Sequence, residues 1–197
     1  RQKILKKFTP KVLDYSENFY TYKKIQGEIF SKKNNKENFQ KLIIFLQNFW
    51  VEKKLSSKEK KTFSKTCLKF YRNKTLERID QFYRKNNYKD KKTKINGKFV
   101  PKIKDLFKMI DWKKLSVGVP VNFHGDLHFE NIIINSKKIK LLDWRQDFGS
   151  SLNYGDIYYD FAKLLHGMIV SHDIVLKNQF EVIKEKNNIH IKIRKKL

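Results

Sequence analysis

The chain has 197 residues and a formal net charge of +25, from 45 Lys+Arg against 20 Asp+Glu. That length suits one domain with a real core, and 40% hydrophobic residues with 14% aromatics exclude a disordered polyelectrolyte. No apolar run reaches the ~20 residues of a membrane span, the first residues carry no signal-peptide core, and the single cysteine, Cys67, excludes an internal disulfide framework or a multi-Cys metal site. The expected compartment is the cytoplasm.

A basic protein invites a nucleic-acid reading. Here the cations are 39 Lys and only 6 Arg, whereas base and phosphate recognition favours the Arg fork. The charge is also uneven. Residues 118–167 hold 5 Lys+Arg and 6 Asp+Glu, and the other 147 residues carry a net +26. The near-neutral stretch is where acids are concentrated, so chemistry is sought there.

In chain order, Pro10–Tyr15 and Phe19–Ile25 read as two short strands around Ser16-Glu17-Asn18, closed by Gly27. Residues 36–50 place Phe39, Leu42, Ile43, Leu46, Phe49 and Trp50 at helical spacing. Ser56-Ser57 before a Lys/Glu-rich run is an N-cap signal for a helix to about Tyr71, and Leu76, Ile79, Phe82 and Tyr83 mark a further helix. Residues 86–98 read as a Lys/Asn-rich loop ending in Asn96-Gly97, and Pro101 is expected to open a helix carrying Ile103, Leu106, Phe107 and Ile110. Val119–Phe123 is a short strand. Ile132–Ile134 and Ile139–Leu142 form a hairpin around Asn135-Ser136. Ile157–Val170 is a largely buried helix, and Phe180–Ile193 is a hairpin turning at Asn187-Asn188. The fold class is α+β, mainly helical with short hairpins beside the acidic segment.

That segment reads Asn122-Phe123-His124-Gly125-Asp126-Leu127-His128-Phe129-Glu130-Asn131, then the hairpin, then Leu141-Leu142-Asp143-Trp144. Phosphoryl transfer needs a carboxylate to orient the attacking hydroxyl and take its proton. It also needs oxygen donors to hold Mg²⁺ against the phosphates. Asp126 and Asn131 sit five apart on one loop, and the hairpin returns Asp143 beside Asn131.

His124-Gly-Asp126-x4-Asn131 followed by Leu-Leu-Asp143-Trp resembles the catalytic core of the aminoglycoside phosphotransferase and choline kinase superfamily, small-molecule kinases with a protein-kinase-like fold. Gly155-Asp156-x3-Asp160-Phe161-Ala162-Lys163-Leu164 resembles a second segment of that family. The resemblance implies a kinase-like C-lobe over residues 28–197, with a catalytic loop at 122–131 and a metal loop at 141–156. Residues 1–27 would be the last N-lobe strands and the hinge. It implies Asp126 as catalytic base, His124 as brace of the loop, Asn131 and Asp143 as Mg²⁺ ligands, and Asp160 as structural support. Asp156 reads as a helix cap or loop brace. ATP would place its adenine against backbone groups of Tyr22, Lys23, Lys24 and Ile25. The partners implied are ATP and a small hydroxylated substrate such as a sugar, an amino alcohol or an aminoglycoside.

The stretch Trp144–Tyr154 is longer than in most family members, and its Arg145 and Asp147, with His128, are candidate substrate contacts. The family's Gly-rich loop and phosphate-binding Lys have no counterpart in the nine residues before Pro10, so a fragment of a longer kinase or an incomplete one is expected. Alternatives are a pseudokinase scaffold, a basic nucleic-acid-binding domain, and a zinc site from His124, Asp126 and His128. Cys67 reads as inert packing. Phe39, Phe45, Phe49 and Trp50 read as core, or as the lining of a pocket for a cation.

Overall fold

Two aromatic-rich cores organise the computed structural model, which describes residues 2–136, 138–169, 172–186 and 188–193. The elements run α1 (Gln2–Leu5), β1 (Val12–Tyr15), β2 (Tyr20–Tyr22), β3 (Glu28–Ile29), α2 (Lys36–Phe49), α3 (Ser57–Asn86), β4 (Thr93–Ile95), β5 (Lys98–Val100), α4 (Ile103–Met109) and α5 (Trp112–Leu115). They continue with β6 (Pro120–Val121), β7 (Ile132–Ile134), β8 (Ile139–Leu141), β9 (Gly155–Asp156), α6 (Ile157–Ile169), α7 (His172–Leu176), β10 (Phe180–Glu185) and β11 (Asn188–Ile193). The fold is α+β, as the sequence implies. The expected helix end at Val170 and the expected turn residue Asn187 lie outside the described residues.

The first core gathers Leu5, Phe30, Leu42, Leu46, Phe49, Phe129, Ile132 and Trp144. It joins α2, the 3-10 turn at Phe30–Lys32 and the β7–β8 hairpin. α2 starts where the Asn35 side chain accepts the Asn38 N–H, and its buried stripe is Leu42, Leu46 and Phe49. β3 pairs antiparallel with β7, placing Glu28 opposite Ile134 and tying the segment after Gly27 to the hairpin. No periodicity announces a two-residue strand, and its partner lies about a hundred residues on.

The second core holds Phe63, Cys67, Val121, Phe123 and Phe148, with Phe70, Tyr71, Tyr154 and Tyr159 against it. It packs α3 on the 144–154 loop. α3 is one helix of 30 residues, not the two expected. The polar run Arg72-Asn73-Lys74 interrupts the apolar pattern, but no Gly or Pro stops the backbone. The helix begins on a capping box between Ser56 and Glu59 and ends at Asn87 in the left-handed region.

The expected loop at 86–98 is also corrected. Asn96-Gly97 turns a hairpin between β4 and β5, and β4 lies parallel to β11 in a four-stranded sheet. Pro101 stands two residues before α4. The helix's first N–H groups, of Ile103 and Lys104, donate instead to the Asp90 carboxylate. Val119–Phe123 contributes only the two-residue β6, paired with β9. No helix among the described residues is long and apolar enough to cross a membrane.

Candidate active site

The loop from His124 to Asn131 is held from beneath by one buried carboxylate. Asp160, fully buried on α6, accepts the N–H of His124 (2.8 Å), the N–H of Gly125 (2.7 Å) and the indole N–H of Trp50 (3.0 Å). His124 is fully buried, and its Nδ1 accepts the Asp126 N–H at 3.2 Å. Its ring is therefore part of the loop's internal bracing rather than one of three ligands facing outward, which removes the zinc reading. Gly125 has φ +86°, and a Cβ there would stand 2.8 Å from the side-chain carbons of Arg145. Both the backbone conformation and the close approach require glycine. Asp156 is fully buried as well. It accepts the Tyr71 hydroxyl at 2.6 Å and the Val119 N–H at 2.9 Å, so it ties β9, just before α6, to α3 and to the segment that enters β6.

Asp126 opens into a cavity of about 600 Å³ with His128, Asp143, Arg145 and Lys163 in its wall. Both Asp126 oxygens face cations. His128 Nε2 lies 3.4 Å from Oδ2, and Lys163 Nζ lies 2.7 Å from Oδ1. The hydrogen bond from His128, and then Lys163, hold the carboxyl well below its ordinary range against the opposing effect of burial. His128 bridges Asp126 and, through Nδ1 at 3.0 Å, Glu130. Those two acids push its pKa up to about 9, so the ring is an imidazolium at neutral pH.

Asn131 donates its side-chain N–H to the Asp126 carbonyl at 2.9 Å, and its own carbonyl accepts the Leu142 N–H at 2.8 Å. The hairpin thus sets Asp143 one residue from that strand contact. Asp143 has φ +51°, a left-handed conformation that Asp tolerates better than most residues. Its Oδ1 accepts the Tyr20 hydroxyl at 3.2 Å. Burial first, and then Asp143, raise Tyr20 to about 12. An amide oxygen from Asn131 and a carboxylate from Asp143 are hard oxygen donors of the kind Mg²⁺ takes.

Arg145 belongs to the cavity and Asp147 does not. The Arg145 backbone N–H donates to the His124 carbonyl at 2.9 Å, and its guanidinium carbon lies 5.5 Å from the centre of the Phe70 ring. Its contact with Asp147 is 3.9 Å. The four residues expected to meet adenine are divided. Burial first, and then the Asp143 carboxylate, raise the pKa of Tyr22. Lys23, Lys24 and Ile25 line a separate hollow of about 420 Å³ with Pro10, Lys11 and Leu13.

Sequence reasoning missed Lys163, Glu130, Tyr20 and Arg78 as members of this region, and the bond from Trp50 to Asp160. Lys163 had a signal: it is the one lysine of α6, a helix otherwise rich in apolar residues. Arg78 had none, because α3 is basic along its length.

A model of the APH phosphotransferase enzyme family matches residues 55–181. The chain belongs to this family. The match contains Asp126, Asn131, Asp143 and Asp160 and excludes Tyr22–Ile25. No curated protein and no solved structure matches the chain. Membership in this kinase-like superfamily accords with the buried bracing of the loop, since phosphotransferases rely on preorganised charge more than on covalent chemistry.

Proposed function

We propose that this phosphotransferase moves the γ-phosphoryl group of ATP, with Mg²⁺, to a hydroxyl of a small molecule. In this reading residues 28–197 are the kinase-like C-lobe, and residues 1–27 are the end of the N-lobe and the hinge. The observation that carries it is the Asp126 carboxylate, set at a cavity wall that also holds Asp143 and fixed by Asn131 through the loop.

Asp126 accepts a hydrogen bond from the acceptor hydroxyl and aims its oxygen at the γ-phosphorus. The new P–O bond forms as the bond from the γ-phosphorus to the β,γ-bridging oxygen breaks, ADP leaves, and the hydroxyl proton passes to Asp126 and then to water. A carboxylate held this acidic is a weak base. Its main work is orientation, and the proton moves late, when the hydroxyl has become acidic through bonding to phosphorus. Asn131 and Asp143 would hold Mg²⁺, which neutralises phosphate charge when bound. Lys163 and the His128 imidazolium supply fixed positive charge next to the transferring group. Backbone groups of Tyr22–Ile25 would meet adenine.

The test is transfer from labelled ATP to a panel of sugars and amino alcohols. Asp126→Asn and Asp143→Asn should each remove nearly all transfer while leaving the circular dichroism spectrum near wild type, with a fall in melting temperature for Asp126→Asn because Lys163 and His128 lose their carboxylate partner. Near-normal turnover in Asp126→Asn would refute the assignment.

A further inference from the structure

The acids of the cavity wall are Asp126, Glu130 and Asp143. Asp126 is matched by Lys163, and Glu130 by His128. Asp143 is the carboxylate that the phosphotransferase reading gives to the metal. Two guanidinium groups in the same wall are left over, Arg78 and Arg145. Arg78 makes no ion pair and no hydrogen bond with the described residues. Arg145 Nε donates to the Asp147 backbone carbonyl at 3.4 Å, but its terminal Nη2 reaches the Asp147 carboxylate only at 3.9 Å, beyond hydrogen-bond length, while its stem is fixed against Gly125 and its guanidinium lies over Phe70.

The aromatic faces tell the same story. A site for a quaternary or primary ammonium needs open ring faces. Here the Phe70 ring has Lys74 Nζ 4.4 Å from its centre as well as the Arg145 guanidinium, and the Tyr159 ring has Lys74 Nζ at 5.0 Å and Lys163 Nζ at 5.8 Å. Tyr159, the aromatic residue in the cavity wall, thus already has two of the protein's own ammonium groups at its ring. Lys74 and Arg78 are one helical turn apart on α3, so one face of this helix presents both.

We infer that the phosphoryl acceptor is an anion, a small hydroxylated molecule bearing a carboxylate or a phosphate, and that Arg78 and Arg145 bind this oxyanion while Asp126 receives its hydroxyl. The inference rests on the phosphotransferase reading of the Asp126 cavity. A planar fork on a rigid stem is the side chain suited to a two-oxygen anionic group. Arg78 arises from α3, whose buried residues Phe63 and Cys67 lie in the second core, whereas Tyr20 and the β7–β8 hairpin belong to the first. The Arg145 guanidinium, over Phe70 of α3, shares the cavity wall with Arg78 of the same helix.

Four derivatives of one pyranose ring separate the cases: glucosamine, glucose, glucuronate and glucose 6-phosphate. Each is assayed for transfer from Mg–ATP and for calorimetric binding in the presence of Mg–ADP. One of the two anions should exceed glucose by about 10-fold or more in kcat/KM or affinity, with glucosamine the poorest. Which anion wins tells carboxylate from phosphate. Arg78→Gln with Arg145→Gln should bring the anion down to the level of glucose by raising its KM, without a matching rise in the KM for ATP. Glucosamine or glucose equalling both anions would overturn the inference, as would no binding of either anion at millimolar concentration, or a double variant that weakens ATP and keeps the preference. Transfer that survives Asp126→Asn overturns the phosphotransferase reading itself, whatever the order of the four sugars.

Discussion

Replacing Asp160 by asparagine removes one of two oxygens from a fully buried group that receives three N–H donors. The amide keeps one acceptor oxygen. Placed where Oδ2 sits, that oxygen still serves His124 and Trp50, but the amide NH₂ then faces the Gly125 N–H. One charge-assisted bond is lost at ~1.5–3 kcal/mol, and two others fall from charged to neutral strength at roughly 0.5 kcal/mol each or more. The sum is about 3 kcal/mol, and Asp160→Ala, which leaves all three donors without their partner, should cost about 3–5 kcal/mol. For a chain of this size 3 kcal/mol corresponds to a fall of about 6–12 °C in Tm. Urea unfolding is the assay, with the midpoint moving and the slope unchanged. Trp50→Phe supplies the second edge of a double-mutant cycle. If the indole bond is real, the two substitutions should couple by about 1 kcal/mol or more. A loss in Asp160→Asn of no more than ~0.5 kcal/mol, or strict additivity with Trp50→Phe, would refute the claim that this carboxylate holds the loop.

Two further predictions concern the loop itself. His128, with its pKa raised to about 9 in the folded chain against 6.5 unperturbed, stabilises the fold fully below pH 6.5 and loses that contribution as pH rises through about 9. Its ring proton shifts followed by NMR should titrate near the upper value, and a midpoint near 6.5 would mean that Asp126 and Glu130 do not hold it. Asp126 has the opposite sign: its lowered pKa gives stability that is lost as pH falls below the ordinary carboxylate range. Gly125→Ala should cost roughly 2 kcal/mol from its left-handed backbone and its contact with the Arg145 stem. Adding Arg145→Ala should restore part of that loss, because it relieves the contact and not the backbone; no recovery in Tm would show that the stem does not press on the loop.

The loop and its hairpin were legible because their signals are local. Asp126 and Asn131 are fixed by five residues of spacing, Asp143 follows from a hairpin that Asn135 and Ser136 announce, and α2 follows from its apolar stripe. What failed was non-local or below the length at which a pattern exists. β3 has two residues and its partner β7 lies far along the chain, while β6, expected over Val119–Phe123, keeps only two of those residues and pairs with the distant β9. The β4–β5 hairpin carried the strongest turn signal available, Asn96-Gly97, but its strands are three residues long and rich in lysine, and β11, its neighbour, is about ninety residues away. Trp50 has the same character. Its spacing marks it as core, and nothing in the sequence pairs its N–H with a carboxylate 110 residues later.

Charge shows most plainly how a linear reading and a folded one differ. Along the chain, residues 118–167 are nearly neutral and the remainder is strongly basic, which invites a picture of an acidic site in a basic shell. In space the cavity wall takes Arg78 from the basic remainder, through a helix that the sequence breaks in two. Had α3 ended at Tyr71, neither Lys74 nor Arg78 would have a defined place beside Tyr159, and the cavity would present Asp126, Glu130 and Asp143 against Lys163, His128 and Arg145. Continuity of that one helix is what turns a balanced wall into one with a surplus guanidinium. The proposed preference for an anionic acceptor therefore requires the three residues Arg72-Asn73-Lys74 to remain helical. Substituting proline at Asn73 should abolish the preference for an anionic hexose even if Asp126, Asn131 and Asp143 stay in place.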